Sequence, residues 1–301
     1  MATLYTQADS NTRKTFILIT FFLVFIIGIG WLFSYLLDNQ LILVAAVIFS
    51  IVTSFSSYWY SDKIVLSMTR AMPLEKRDNP ELYRLVENLC ITAGLPLPKI
   101  YLLNESQPNA FATGRDKNHA VIAITSGLLE KLERTELEGV IAHELSHIGN
   151  KDMLLDTALV ILVGVVALLS DWFLRISFWG GRRRRESREE GINAILILFG
   201  ILAAILAPLV ATLIRLAVSR RREFLADTIG ALLTRYPEGL AQALEKIASD
   251  PNPLRVANTS TAHLYIENPF KGEQAHNWFL KLFMTHPPIE DRIKALREIS
   301  L

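Results

Sequence analysis

Four long apolar runs, residues 16–37, 41–60, 154–174 and 192–218, constrain this chain more than any other feature, because each comes near the ~20 residues that cross a bilayer as a helix. With 51% hydrophobic residues in 301 and a positive mean hydropathy, the chain holds more apolar material than a soluble core of its size needs. The first run is uncharged, too long for a signal-peptide core, and lacks a small-residue cleavage site, so it reads as a retained anchor. Only Asp38, Asn39 and Gln40 separate the first two runs, which predicts a tight helical hairpin. Arg13 and Lys14 before it, with Lys63, Arg70, Lys76 and Arg77 after it, place both its ends in the cytoplasm. The third and fourth runs contain Asp156, Asp171 and Arg215, charges that are costly in hydrocarbon unless paired or snorkelling. Between them lies a basic run, Arg182 to Arg185. If both segments span, that loop is external, against the positive-inside rule; inverting the topology would violate the rule at least as badly, and a second hairpin that stops short with its loop in the cytoplasm would need a sharp reversal, where Pro208 gives a kink at most, so spanning with an external loop is the expectation.

The chain therefore divides into a hairpin at 1–60, the first part of a soluble domain at 61–153, a second hairpin at 154–218, and the second part of the domain at 219–301. A net charge of +1 argues against a nucleic-acid partner. The single cysteine, Cys90, excludes an intrachain disulfide and a cysteine zinc cage.

Inside the soluble parts, Asn79 followed by Pro80 predicts a helix start, and Leu82, Leu85, Val86 and Leu89 give it an apolar stripe up to Gly94. Residues 99–103 and 120–125 read as strands, and 109–114 as a third strand or a turn. Residues 238–249 form an amphipathic pattern, and the aperiodic stretch 250–277 reads as a surface loop or lid. Thr135 and Glu138 resemble a capping box, after which Leu137, Val140, Ile141, Leu145 and Ile148 recur at helical spacing.

That helix carries His143, Glu144, Leu145, Ser146 and His147, an HExxH pattern. Residues four apart share a helical face, so both imidazoles can meet one metal while Glu144, one step round, is offset toward a metal-bound water. Zinc lowers the pKa of such a water to about 7, and a neighbouring carboxylate can take its proton. With 6 histidines in the chain, a chance match is expected in fewer than about one such sequence in a hundred. A hydrolytic zinc site takes three protein ligands. His119, His263, His276 and His286 qualify by type, but Glu223 qualifies by geometry: an antiparallel hairpin made of the third and fourth runs returns His147 and Glu223 to one membrane face. Paired with Arg220 or Arg222, Glu223 would instead be a plain surface carboxylate. Asp227, at i+4 from Glu223, can orient a ligating imidazole.

The segments HELSHIGNKD, RRREFLADTIGA, PNAFATG and THPPIEDRI resemble, in order and spacing, the HtpX-type membrane zinc metallopeptidases, relatives of the CAAX prenyl endopeptidases. The resemblance implies an α-rich α+β, zincin-type domain with an HExxH helix and a small β-sheet, held to the bilayer by two transmembrane helical hairpins. It implies an endopeptidase of the bacterial inner membrane, active site facing the cytoplasm, that cleaves misfolded or damaged membrane proteins in quality control and stress response. Its partners are then unfolded or membrane-protein substrates and the lipid bilayer, and its cofactor one zinc ion per chain. Residue by residue, His143, His147 and Glu223 match the family's ligands and Glu144 its catalytic carboxylate. Asn109, Ala110, Phe111 and Ala112 resemble its substrate-pairing edge strand. His286 and Arg292 resemble a late pair near the metal, where His286 stabilises an oxyanion or caps the zinc; Thr285, His286, Pro287 and Pro288 equally suit a helix-capping turn. Rival readings are a peptidase narrowed to one defined tail, a catalytically silent zinc-stabilised scaffold, and a transporter, for which the paired broken helices are missing.

Overall fold

The computed structural model describes residues 4–36, 38–180, 220–258, 260–271 and 287–299. It opens with two long helices, α1 (Leu4–Leu36) and α2 (Gln40–Trp59), joined across the short turn expected between them. Asn39 caps α2, its side-chain oxygen accepting from Leu41 N–H at 3.0 Å. The helices approach closely where Gly30 faces Ala46: a Cβ on Gly30 would come within 2.2 Å of the alanine Cβ. Both are long and apolar enough to cross a membrane. Ile17, Val24, Trp31, Val44, Val52 and Phe55 are exposed on them, as lipid-facing side chains are. The first helix begins twelve residues before its apolar run, because its polar opening turns continue the same helix and Asn11 is buried within the fold.

After the short helix α3 (Ser61–Met68), a four-stranded mixed sheet has the order β1-β2-β4-β3. Here β1 (Met72–Pro73) is antiparallel to β2 (Lys99–Leu103), β2 is parallel to β4 (Val121–Thr125), and β3 (Ala110–Thr113) closes the far edge antiparallel to β4. The alternative of a plain turn at 109–114 is thus settled in favour of a strand. The continuous apolar run of β4 is buried throughout, as a strand covered on both faces must be.

Helices α4 (Pro80–Ala93), α5 (Ser126–Lys131), α6 (Arg134–Gly149), α7 (Asp152–Gly180), α8 (Arg220–Thr234), α9 (Pro237–Ser249) and α10 (Ile289–Arg297) complete the described chain. The first of these follows its sequence signals closely: Asn79 Oδ1 accepts from Leu82 N–H at 3.0 Å, and Gly94 ends the helix at φ +64°. Leu85, Val86, Ile122, Ile124, Val140, Ile141, Leu240 and Leu244 form the main core between sheet and helices. A second cluster joins Leu18, Phe22 and Ile26 of α1 to Leu155, Leu159 and Leu162 of α7. The fourth apolar run, Arg182 to Arg185, and His286 lie outside the described residues.

Two expectations need correction. The capping box of the HExxH helix is Glu133 with Glu136, not Thr135 with Glu138: Glu133 has the extended φ, ψ of a cap, and its N–H donates to Glu136 Oε2 at 2.7 Å. The described part of 250–277 is a surface loop only at its start: Pro251, Asn252, Pro253, Arg255 and Asn258 are exposed, whereas residues 260–266 are buried. Leu254, Leu264 and Tyr265 are buried against Phe111 of β3 and Val160 of α7, without any regular period that sequence could display.

Candidate metal centre

On α6, His143 and His147 present their imidazoles from successive turns, with Nε2 atoms 3.1 Å apart. Helix α8 lies against α6 and brings Glu223 to the same point, 3.9 Å from His143 Nε2 and 3.7 Å from His147 Nε2. Donor atoms of all three residues lie within 4.8 Å of one another. Small residues permit the approach. Ala226 and Ala231 are fully buried, and Gly230 faces the α6 backbone so closely that a Cβ there would reach 3.1 Å from His143 N.

A layer of carboxylates stands behind the imidazoles. His143 Nδ1 lies 2.9 Å from Asp227 Oδ1, the partner expected from the i+4 spacing, and His147 Nδ1 lies 3.0 Å from Asp152 Oδ2. Arg292, fully buried, holds Asp227 in a two-pronged pair, Nε to Oδ2 at 2.8 Å and Nη2 to Oδ1 at 2.7 Å, and donates through Nη1 to the Ile266 carbonyl at 2.9 Å. Burial alone would raise the Asp227 carboxyl, but Arg292 and His143 outweigh it and hold the pKa at about 2. Arg222 reaches Asp152 and Asp156 at 3.2 Å each, which ties the start of α8 to the start of α7.

Sequence reasoning named Arg222 only as a partner of Glu223, and missed Asp152 and Asn11, whose amide meets Asp152. The one available signal was the break Gly149, Asn150, Lys151 after HExxH: Lys151 takes φ +56°, and the sharp elbow folds Asp152 back under His147.

With Nδ1 of each ring turned to a carboxylate, Asp227 or Asp152, the Nε2 of each faces the common point. Two imine nitrogens and a carboxylate facing a common point fit a cation of borderline softness. The electrostatics agree. Asp152, Glu223 and Glu144 outweigh burial and raise the His147 pKa to about 10 in the metal-free chain, so the carboxylates hold a positive charge at this corner, carried by a proton on His147 that a bound cation would displace. Glu144 is itself pushed up to about 7, chiefly by burial and then by Glu223, against the lowering effects of His147 and Arg292.

The cleft in front is lined by Ala112, His143, Glu144, His147, Met153, Asp156, Glu223 and residues 263–266. Asn109 O accepts from Thr125 N–H on the β4 side, so by alternation Ala110 and Ala112 direct their main-chain groups to the outer edge. Part of that edge is already used: Ile266 N–H donates to Ala110 O at 3.0 Å, and Asn109 Oδ1 accepts from Ala110 N–H at 3.1 Å. Asn109 Nδ2 also donates to Glu267 O at 3.1 Å, and the Phe111 ring packs edge-on against Tyr265. Of the other histidines, His263 lines the cleft with Nε2 3.2 Å from Asp156 O, and His119 is an exposed partner of Asp116. His276 and His286 lie outside the described residues.

The chain is similar to known proteins over most of its length. Residues 76–300 match peptidase family M48. The chain is 44% identical over 301 residues to a protease HtpX homolog of Caldanaerobacter subterraneus subsp. tengcongensis, covering 99% of each. It is 45% identical to the one of Dictyoglomus turgidum, over 98% of this chain and 94% of that one. The crystal structure of S. mikatae Ste24p overlays at a TM-score of 0.49 and 19% identity, covering 97% of this chain and 66% of the other.

Proposed function

The chain belongs to peptidase family M48 and is a metalloprotease of the membrane, and from that premise we propose that it is a zinc-dependent endopeptidase in which His143, His147 and Glu223 hold the metal and Glu144 is the general base. The observation that carries this reading is the convergence of those three donor sets within 4.8 Å, with Glu144 one step round the same helix.

Bound there, zinc supplies a Lewis acid that acidifies water to a pKa of about 7 and polarises a carbonyl. Everything else is done by the chain. Asp227 and Asp152 keep each Nδ1 protonated and each ring oriented, and Arg292 keeps Asp227 ionised. The Glu144 carboxylate takes a proton from the attacking water and passes it to the amide nitrogen of the leaving strand; burial, which raises its pKa, makes it a better proton acceptor. An extended substrate pairs with the outer edge of β3 beside Ala112, main chain to main chain, which tolerates many side chains. His286 is proposed to stabilise the developing oxyanion.

The proposed substrates are unfolded or damaged membrane proteins, and the proposed setting is the cell's inner membrane with the site on the cytoplasmic side. Arg13, Lys14, Lys63, Arg70, Lys76 and Arg77, which flank the first hairpin, support that orientation. The test is to incubate detergent-purified protein with unfolded casein, with and without a chelator, beside Glu144→Gln. Cleavage should need metal and should fall by at least about a hundredfold in the variant, which keeps its zinc. Retained cleavage in Glu144→Gln removes the carboxylate from the mechanism; zinc binding without any cleavage leaves a scaffold.

A further inference from the structure

Asn11 is a fully buried amide in α1, on the face that otherwise meets α7 through Leu18, Phe22 and Ile26. An amide among aliphatic side chains calls for polar partners, and these are specific. Its Nδ2 donates to Asp152 Oδ1 at 2.6 Å and to the Asn150 carbonyl at 3.0 Å. Asn150 caps the HExxH helix and Asp152 begins α7, so one amide grips both sides of the elbow at Lys151. Thr15, one turn along the same buried face, offers a contrast: its hydroxyl donates back to Asn11 O within α1 and makes no bond to α7.

We propose that Asn11 is a positioning residue of the metal centre, acting through Asp152 on His147. Asp152 has two oxygens and three donors around it. Asn11 at 2.6 Å and Arg222 at 3.2 Å both hold Oδ1, which leaves Oδ2 directed at His147 Nδ1, 3.0 Å away. Rotation of that carboxylate is thereby fixed from the far side. The first turns of the amino-terminal helix, ahead of the segment read as a membrane span, thus belong to the support of the active site, and seating α1 against α7 and holding metal are linked. Linkage is reciprocal, so metal in the site favours the seated α1 by the same factor that seated α1 favours metal.

The inference rests on His143, His147 and Glu223 being the ligands, and its test separates the two. Zinc dissociation constants are measured by chelator competition on full-length, detergent-purified chain in a Glu144→Gln background, alongside melting of the metal-free protein. Partners that directly hold a ligating histidine are worth about 10–100-fold in affinity. Asn11, one step further out, should be worth about 3–10-fold in zinc affinity in Asn11→Leu, beside any loss in metal-free melting from the acceptors left unpaired. Thr15→Val should bind zinc as the parent does. In an Asp152→Ala background, Asn11→Leu should cost nothing further, because its route to His147 is gone. Asn11→Ala gives the same comparison if the leucine variant does not fold. Unchanged zinc affinity with lowered metal-free melting, or an equal loss with and without the Asp152 carboxylate, overturns the proposal and makes Asn11 a packing residue. Zinc binding that survives His147→Ala in the parent overturns the ligand assignment instead.

Discussion

The position of Glu223 depends on how close α8 can come to α6, and Gly230 controls that distance. A methyl group at 230 would meet His143 N at 3.1 Å, His143 Cα at 3.3 Å and the Ala142 carbonyl carbon at 3.4 Å. These are backbone atoms of a buried helix with no rotamer to escape into, so Gly230→Ala must move α8 outward by a few tenths of an ångström. Two effects then compete. Alanine in a helix interior is favoured over glycine by about 1 kcal/mol, whereas overpacking a filled core costs about 1–3 kcal/mol. The metal-free variant should therefore be near neutral or up to about 2 kcal/mol less stable. Zinc is less tolerant, since ligand distances hold to within about 0.2 Å, and a shift of that order at Glu223 should weaken binding by about tenfold. Gly230→Val, which brings two further methyl groups to the same backbone, should lose more on both counts. Thermal melting of metal-free protein and chelator competition read the two quantities separately. If Gly230→Ala melts higher and binds zinc as tightly as the parent, the helix spacing is not what places Glu223.

Glu223→Ala should lower zinc content by elemental analysis, whereas His263→Ala and His276→Ala should leave it near the parent value; full occupancy in the first variant moves the third ligand elsewhere. Asp227 has its folded pKa depressed from 3.8 to about 2 by Arg292 and His143, so its contribution to stability is present above about pH 4 and is lost as the pH falls through 2. Arg292→Met should cost about 3–5 kcal/mol at neutral pH by leaving that carboxylate buried without its counterion, and should flatten the acid-side fall in metal-free protein; an unchanged acid profile would refute the pairing. Ser187→Cys, in a Cys90→Ser background, should react with a membrane-impermeant maleimide in intact cells, and labelling only after permeabilisation would reject an external loop between the third and fourth apolar runs.

What could be read in advance followed periodicity. The HExxH spacing, the i+4 relation of Asp227 to Glu223 and the Asn79–Gly94 helix are local patterns, and each stands where its pattern put it. Asp152 and Asn11 obey no such rule: they meet across 141 positions, and the turn at Lys151 that aims Asp152 depends on a positive φ that lysine rarely adopts. Tyr265 and Ile266 were hidden for a related reason. Their burial comes from filling the space beside β3, and an irregular segment leaves no 2.0 or 3.6 period to find.

The short outer edge of β3 bears on selectivity. With the Ala110 carbonyl bonded to Ile266 and the Ala110 N–H to Asn109, a strand laid along it as proposed would gain few main-chain hydrogen bonds, each worth about 1 kcal/mol net. Affinity that weak cannot pull a segment out of a folded domain, where the same groups are already bonded and packed. A chain that has lost its fold incurs no such penalty, because its backbone is extended, solvated and free to pair. On the proposed pairing the cleft would sort polypeptides by their conformational state, so the half-life of a protein before it would follow how often that protein opens and would depend little on which residues it exposes when it does.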